Sequence, residues 1–432
     1  MHNNLSEKYI PNISIILPSM NDSHLLKRQL SALCEQSLQP SEVIVVDSSS
    51  DQLTEKACRD FKGNFPLVYL RSGRAYRFDR YILAVLRFFK FYKLSSKLGS
   101  GKLYPSESTN FGAKHATGTW LALLDMSTIP SKGWLEQYWT EIKSGADVVF
   151  GSTVYTSSPG TQRRIHYSTF GNLPHETNPG TLISKELFLA NRMIEGFRAG
   201  VDLEWRERIK SKTIVFVTPR NSFLKYSSLP NSFRRFLWKM FVYQMHSVPL
   251  EIQQNTKTAF GLIILLIMSL VITRWNYLVG FESDYYLPHI TKLSLITFNL
   301  FFFMLLISKR LGAGIKSIST PFINNIFTIF ISLSILLLAY RWNAVVAGWI
   351  EGSRFYIPHL TKLAIFLFLS FLLIYRGLYF PIRHGVEKKE LFPLSFISIG
   401  IYGALADVAK IPGFLMGALF YPFLGFKKNE EQ

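Results

Sequence analysis

Apolar residues follow two patterns along the chain. In the first 250 residues they form short runs, each closed by a polar turn. Residues 13–17 (ISIIL) end at Pro18-Ser19 and read as a buried strand. Asp22 or Ser23 then caps a helix that carries Leu26, Leu30 and Leu33 on one face. Residues 43–46 (VIVV) predict a second strand, ending in Asp47-Ser48-Ser49-Ser50-Asp51. A short helix over 52–61 leads to a third strand at 67–70. A helix over 110–116, a strand over 120–124 ended by Asp125, and a strand over 147–150 follow. Strands alternating with helices predict a parallel sheet with crossover helices, and such sheets bind ligands outside the carboxyl ends of their strands. Asp47 and Asp125 both stand at such ends. Each could serve a metal–diphosphate or ribose site, or simply cap the next turn.

From about residue 258 the runs lengthen, to 259–271, 293–307, 326–340 and 363–375. None holds an internal Asp, Glu, Lys or Arg. With their flanks, each reaches the roughly 20 residues needed to cross hydrocarbon. Arg274-Trp275-Asn276 is echoed by Arg341-Trp342-Asn343, and residues 286–293 (YLPHITKL) by 356–363 (YIPHLTKL). The repeat predicts an all-α transmembrane region of two duplicated helical hairpins over 251–390. The last apolar stretch, 391–425, is broken by Asp407, Lys410 and Pro412. It is read, within 391–432, as one or two interfacial or re-entrant helices. The loop between hairpins carries Lys309, Arg310 and Lys316, whereas the repeated loops carry Glu282, Asp284 and Glu351. The positive-inside rule then puts the N-terminal domain, residues 1–250, on the cytoplasmic side of a multi-pass inner membrane protein. No secretory signal precedes that domain.

Composition sharpens this picture. The chain has 432 residues, of which 48 are Lys or Arg and 29 Asp or Glu, giving a net charge of +19. Such a balance fits nucleic acid, phosphate-bearing substrates or an anionic membrane. Much of it falls in 71–103, where nine basic residues and one acid are interleaved with aromatic residues. That segment reads as a basic amphipathic helix on an anionic surface, or as a lid with Arg71, Arg74 or Arg77 on phosphates. The membrane half argues against nucleic acid. Residues 225–250 predict a second interfacial element. Two cysteines, Cys34 and Cys58, exclude a disulfide framework and read as reduced thiols in helices.

Several motifs in order resemble the family 2 glycosyltransferases. They are Ile15-Ile16-Leu17-Pro18-Ser19-Met20-Asn21, Val45-Val46-Asp47-Ser48-Ser49-Ser50-Asp51, Asn110-Phe111-Gly112 through Trp120, and Gly196-Phe197 followed by Asp202-Leu203-Glu204-Trp205-Arg206-Glu207-Arg208. The resemblance implies a GT-A fold with a mostly parallel sheet. It also implies inverting transfer of a sugar from a nucleotide diphosphate donor. It places Pro18, Ser19, Asn21, Asp47, Ser49, Arg71, Asn110 and Asp125 around the donor. Asp202 becomes the general base that takes the acceptor hydroxyl proton. Glu204, Trp205, Arg208, Arg235 and Trp238 become acceptor or phosphate contacts.

The chain departs from the family pattern in three places. The second carboxylate of the metal motif is Ser127, which weakens a Mg²⁺ or Mn²⁺ site at Asp125. The first carboxylate of the catalytic pair is Val201. The Gln-x-x-Arg-Trp motif of processive members is absent, with Phe233-Arg234-Arg235-Phe236-Leu237-Trp238 in its place. The leading expectation is a membrane-anchored transferase acting on a polyprenyl-linked acceptor in cell-envelope polysaccharide or glycolipid assembly. The alternatives are a polyprenyl-phosphate sugar synthase, and an inactive GT-A domain serving as sensor or assembly partner. A transporter fits poorly, because the spans lack charge.

Overall fold

The computed structural model describes residues 11–49, 51–71, 104–219, 221, 223–250, a few positions between 252 and 286, and 360–420. They fall in two compact units. One joins residues up to Ile252 with those from Leu372 on, and the other is Gln253–Phe371.

The first unit opens with β1 (Ile13–Ser19), α1 (Ser23–Cys34), β2 (Glu42–Asp47), α2 (Leu53–Arg59) and β3 (Leu67–Arg71). These match the elements expected from the β-branched runs and the leucine spacing. Then come α3 (Pro105–His115), β4 (Trp120–Leu123), β5 (Thr128–Pro130), α4 (Trp134–Lys143) and β6 (Val148–Tyr155). Helix α3 starts five residues before the expected 110 because Pro105 fits its first turn and Glu107 reaches back to the Tyr104 amide. The series continues with α5 (Thr161–Thr169), β7 (His175–Ser184), α6 (Lys185–Ala190), α7 (Val201–Lys210), β8 (Phe216–Val217), β9 (Leu224–Tyr226) and α8 (Phe233–Ser247).

The strands form one sheet in the order β3-β2-β1-β4-β7-β6-β9-β5, with β8 beside β6. Pairs β1–β2, β1–β4, β2–β3, β6–β8 and β6–β9 are parallel, while β4–β7, β6–β7 and β5–β9 are antiparallel. The sheet is thus mostly parallel, as expected, with an antiparallel insertion around β7. Strands β1 and β2 are apolar on both faces, and each face has its own core. On one face α1 and α4 pack with Leu26, Leu30, Trp134 and Tyr138. On the other, α3, α6 and α7 bring Ala113, Phe188 and Trp205. Gly112 lets α3 lie directly on the sheet, because a Cβ there would sit 2.7 Å from Ile16 and 2.8 Å from Val46. Cys34 ends α1 and Cys58 lies in α2, where burial pushes its thiol up to about 12.

A buried carboxylate that the sequence reading missed closes the amino end of the sheet. Glu42 Oε1 accepts from Ser14 Oγ at 2.6 Å, Thr117 N at 2.7 Å and Thr117 Oγ1 at 2.8 Å. Burial raises its pKa, but these donors and the Gly118 amide more than reverse that and hold it below the ordinary range.

After the sheet come α9 (Leu360–Ile374), a π-helical turn (Tyr375–Tyr379), α10 (Phe380–Arg383), α11 (Lys388–Leu391) and α12 (Ser395–Phe420). Three of the four expected spans, and the duplicated hairpins as such, lie outside the described residues. The fourth run begins in α9. The C-terminal stretch is one continuous 26-residue helix with Pro412 inside it, where broken interfacial or re-entrant segments were expected. With a hydropathy of 1.4 it is, among the described residues, the one helix long and apolar enough to cross a membrane. Within the first unit it packs against α5 and α8. Gly413 and Gly417 approach the Phe241 and Met245 carbonyls, while Ala406 and Tyr402 meet Ile165, Phe233 and Phe236.

Candidate active site

The carboxyl ends of β1, β2 and β3 put Ser19, Asp47 and Arg71 on one row across the sheet. Asp47 is fully buried. Its Oδ1 accepts from Ser49 N at 2.9 Å, and its Oδ2 accepts from Tyr69 Oη at 2.9 Å and Arg71 Nη1 at 3.0 Å. Arg71 also donates to Ser49 O at 2.7 Å and Asp51 O at 3.0 Å. Asn21, at φ 61°, donates its amide to Ser49 Oγ at 2.8 Å. The motif residues therefore knit the loops after β1 and β2 into one rim, and Pro18, Ser19 and Ser48 present that rim to a cleft of about 570 Å³.

Asp125 stands two residues past β4 and lines the same cleft. Its Oδ1 accepts from Ser127 N at 2.9 Å and Thr128 N at 2.7 Å. Burial nevertheless raises its pKa, against the Thr128 and Ser127 hydrogen bonds and the positive charge of Lys239. The amide hydrogen bonds and the charge of Lys239 thus offset only part of the cost of an ionised carboxylate at this half-buried position.

Asp202 lies exposed in the first turn of α7 and faces the cleft from the other core layer. Gly200 precedes the helix at φ 86°, where an added Cβ would crowd Ile252, Leu250 and Ser247. Val201, at the family's first carboxylate position, is a core residue beside Trp205 and Ile209. Asp202 is thus the one member of that pair able to reach the cleft.

Other expected site residues lie elsewhere. Trp205 is fully buried, and its Nε1 donates to Asn191 O at 2.7 Å, so it is core and not an acceptor contact. Glu204 pairs with Arg208 at 2.7 Å, and Arg208 also donates to Arg192 O at 2.9 Å; neither lines the cleft. Asn110 is buried on the inward face of α3. Its Nδ2 donates to Met193 O at 2.8 Å and to Glu195 at 3.1 Å, and its Oδ1 accepts from Met193 N at 3.1 Å. It holds the loop before Gly196 and does not face the donor side. Arg235 and Trp238 sit on the exposed face of α8. The opposite face of α8 lines the cleft with Phe236, Lys239, Met240 and Tyr243, at i, i+3, i+4 and i+7. Apart from Arg71, the 71–103 segment lies outside the described residues.

The sequence reading missed Lys239 and the cleft aromatics Tyr104, Tyr155, Phe170, Tyr226 and Tyr243. Burial opposes the charge of Lys239, but the Tyr243 and Tyr226 hydroxyls more than offset it and hold its pKa above the ordinary lysine range. The available signal was the spacing on α8. Lys239, Met240 and Tyr243 stand three, four and seven residues after the apolar Phe236 and so share its face.

Residues 14–89 and 97–209 match the family described as Glycosyl transferase family 2. Among solved structures the chain is similar to S. aureus TarS 1–349 in complex with UDP, at 15% identity over 62% of this chain and 72% of that one, with a TM-score of 0.34. It is similar to the same protein in complex with UDP-GlcNAc, at 15% identity over 56% and 68%, with a TM-score of 0.34. A third is the mannosyltransferase PcManGT from Pyrobaculum calidifontis in complex with GDP-Man and Mn²⁺, at 21% identity over 56% and 63%, with a TM-score of 0.35. No curated protein matches. Strands β1 to β7, Asp125 and Asp202 fall within that match, and it is this domain, residues 14–209, that belongs to the family 2 glycosyltransferases.

Proposed function

We propose that the chain transfers a sugar, with inversion, from a nucleotide diphosphate donor to a hydroxyl of a membrane-associated acceptor. The observation that carries this reading is the shared cleft, with Asp125 at the end of β4 and Asp202 exposed on α7. Pro18, Ser19 and the Asp47–Arg71 rim would hold the nucleoside. The Asp202 carboxylate takes the proton of the acceptor hydroxyl as that oxygen bonds to the anomeric carbon. On the opposite face the bond from that carbon to the diphosphate oxygen breaks, and its electron pair leaves with the nucleoside diphosphate. Lys239 supplies positive charge on the cleft wall near that oxygen.

Among the described residues no group of three or more His, Cys, Asp or Glu could hold a metal. The residues present fit a divalent ion with one protein carboxylate, Asp125, the remaining ligands being donor phosphate oxygens and water. When bound, such an ion would neutralise the leaving diphosphate.

Support for the membrane-held acceptor is the uncharged apolar runs after residue 258 and the exposed stripe Ile397, Ile401, Leu405 and Val408 on α12. A role in cell-envelope polysaccharide or glycolipid assembly, with the catalytic domain on the cytoplasmic side, follows from that acceptor class and from the loop charges.

The test is Asp202→Asn assayed against a panel of nucleotide sugars. Transfer should fall at least about 100-fold, as for loss of a general base, while the thermal shift given by the donor is unchanged. Full transfer by this variant would refute the base assignment.

A further inference from the structure

One wall of the cleft is built from stacked aromatic rings. Tyr155, at the end of β6, lies 3.9 Å from Phe170, with 14° between the ring planes. Tyr226 of β9 is 5.2 Å from Tyr155. Tyr243 of α8 extends the wall, with Lys239 Nζ 5.2 Å from its ring centroid. All of these line the cleft.

The wall is braced from behind. His175 meets Tyr155 edge-on at 5.5 Å, and its Nε2 lies 2.8 Å from the Phe170 carbonyl. The loop after Phe170 is pinned to the turn after α10. Asn172 N and Leu173 N donate to His384 O at 2.8 and 3.1 Å, and Asn172 Nδ2 donates to Gly385 O at 3.3 Å. Gly171, at φ 74°, leaves no room for a side chain, because an added Cβ would lie 2.4 Å from His384 Cβ. A wall fixed in this way loses little freedom when a ligand stacks on it.

We infer that this aromatic wall is an acceptor subsite for the ring of a saccharide, so that the reacting hydroxyl belongs to a glycan end and not to a bare lipid phosphate. This rests on the transferase reading above. Tyrosine presents an apolar face and a polar tip, which matches a pyranose with its axial C–H face and equatorial hydroxyls. Among the described lining residues there are four tyrosines but a single branched aliphatic, Leu229. A prenyl chain has no hydroxyl to meet the phenolic tips. Burial pushes the Tyr155 hydroxyl upward, and the charges of Asp125 and Asp202 both add to that push. Tyr155, Asp125 and Asp202 line the same cleft, which places the wall on the path of an attacking hydroxyl.

The test is saturation-transfer NMR on the full chain in a detergent without a sugar headgroup. The probes are methyl β-glucoside, methyl N-acetyl-β-glucosaminide and geranyl phosphate, with irradiation of the aromatic protons. Variants Phe170→Leu and Tyr243→Leu are compared with wild type; Tyr243 is exposed, so its replacement leaves the core intact. A glycoside signal is expected on the ring C–H protons, falling about fivefold in each variant, while the nucleotide-sugar thermal shift is unchanged in Phe170→Leu. An undiminished glycoside signal in both variants overturns the subsite. So does saturation of geranyl phosphate with neither glycoside responding. Absence of a nucleotide-sugar shift in the wild-type chain, with a glycoside signal that the variants diminish, counts against the transferase reading and still supports a saccharide subsite.

Discussion

Two carboxylates at opposite ends of the sheet, Asp125 on the cleft and Glu42 at the amino end, are pushed in opposite directions. Asp125 has its pKa raised, chiefly by burial, so its ionised form costs stability in the folded state. That cost appears as pH rises through the native pKa, above the ordinary value of 3.8, and vanishes at pH below the unfolded value. Asp125→Asn keeps an oxygen for the Ser127 and Thr128 amides. It should raise Tm at pH 7–8, by an amount that shrinks on acidification, while donor binding is lost. Glu42 is lowered below 4.5 because its donors outweigh burial, so it contributes stability above the unfolded pKa that is lost as pH falls through the native one. Glu42→Gln should therefore lower Tm at neutral pH and match wild type in acid. Melting curves from pH 4 to 8 check both signs. The places of Asp47 and Asp125 at strand ends and of Asp202 at a helix start were legible because each stands within a motif. The roles of Trp205 and Asn110 were not. A helix in a motif has two faces, and only the way α3 and α7 lie on the sheet shows that both residues point inward.

Among elements, the β-branched runs announced β1 and β2 because those strands are buried on both faces. Strand β7 was hidden. Its sequence HETNPGTLIS has no alternation, and Pro179-Gly180 reads as a turn. It is a strand because Gly151 of β6 lets the β7 backbone pass; a Cβ there would lie 1.9 Å from Pro179 O, at the register shift between the two. Glycine decides the α8–α12 contact as well. An added Cβ on Gly413 would sit 2.4 Å from Phe241 O, a backbone atom that cannot swing aside. Gly413→Ala should force the helices apart at a cost of about 1–3 kcal/mol. Faster hydrogen exchange at the amides of α8 would report it. Gly133→Ala, where a Cβ meets nothing within 4 Å, should leave stability nearly unchanged and serves as the control.

At the scale of the molecule, composition averaged over two kinds of chain. The first 250 residues hold 32 basic and 20 acidic residues, so +12 of the +19 lies there. What composition could not show is that residues 372–420 return to the catalytic unit. They cover Ile165 and Phe236 with Ala406 and Tyr402, Tyr167 with Val386, Leu391 and Ile399, and Met245 with Met416 and Phe420. Arg376 and Lys410 close on Asp407 within this layer, with Lys410 Nζ 2.9 Å from Oδ1. Sequence distance hid this, since hydropathy marks a long helix as apolar but not what its faces meet. The expectation that follows is specific. A chain ended at Leu250 uncovers Ile165, Tyr167, Phe236 and Met245, each worth about 1.5–3 kcal/mol when buried. Their sum approaches the whole stability of a typical domain, ~5–15 kcal/mol. The shortened chain should unfold or aggregate where the full chain is folded, and it should lose the brace of His384 on the Phe170 loop. Joining residue 252 to residue 372 through a flexible linker restores the cover without the intervening runs, and should recover both Tm and donor binding. Equal melting of the shortened and full chains in calorimetry would show that the sheet domain stands without its C-terminal layer.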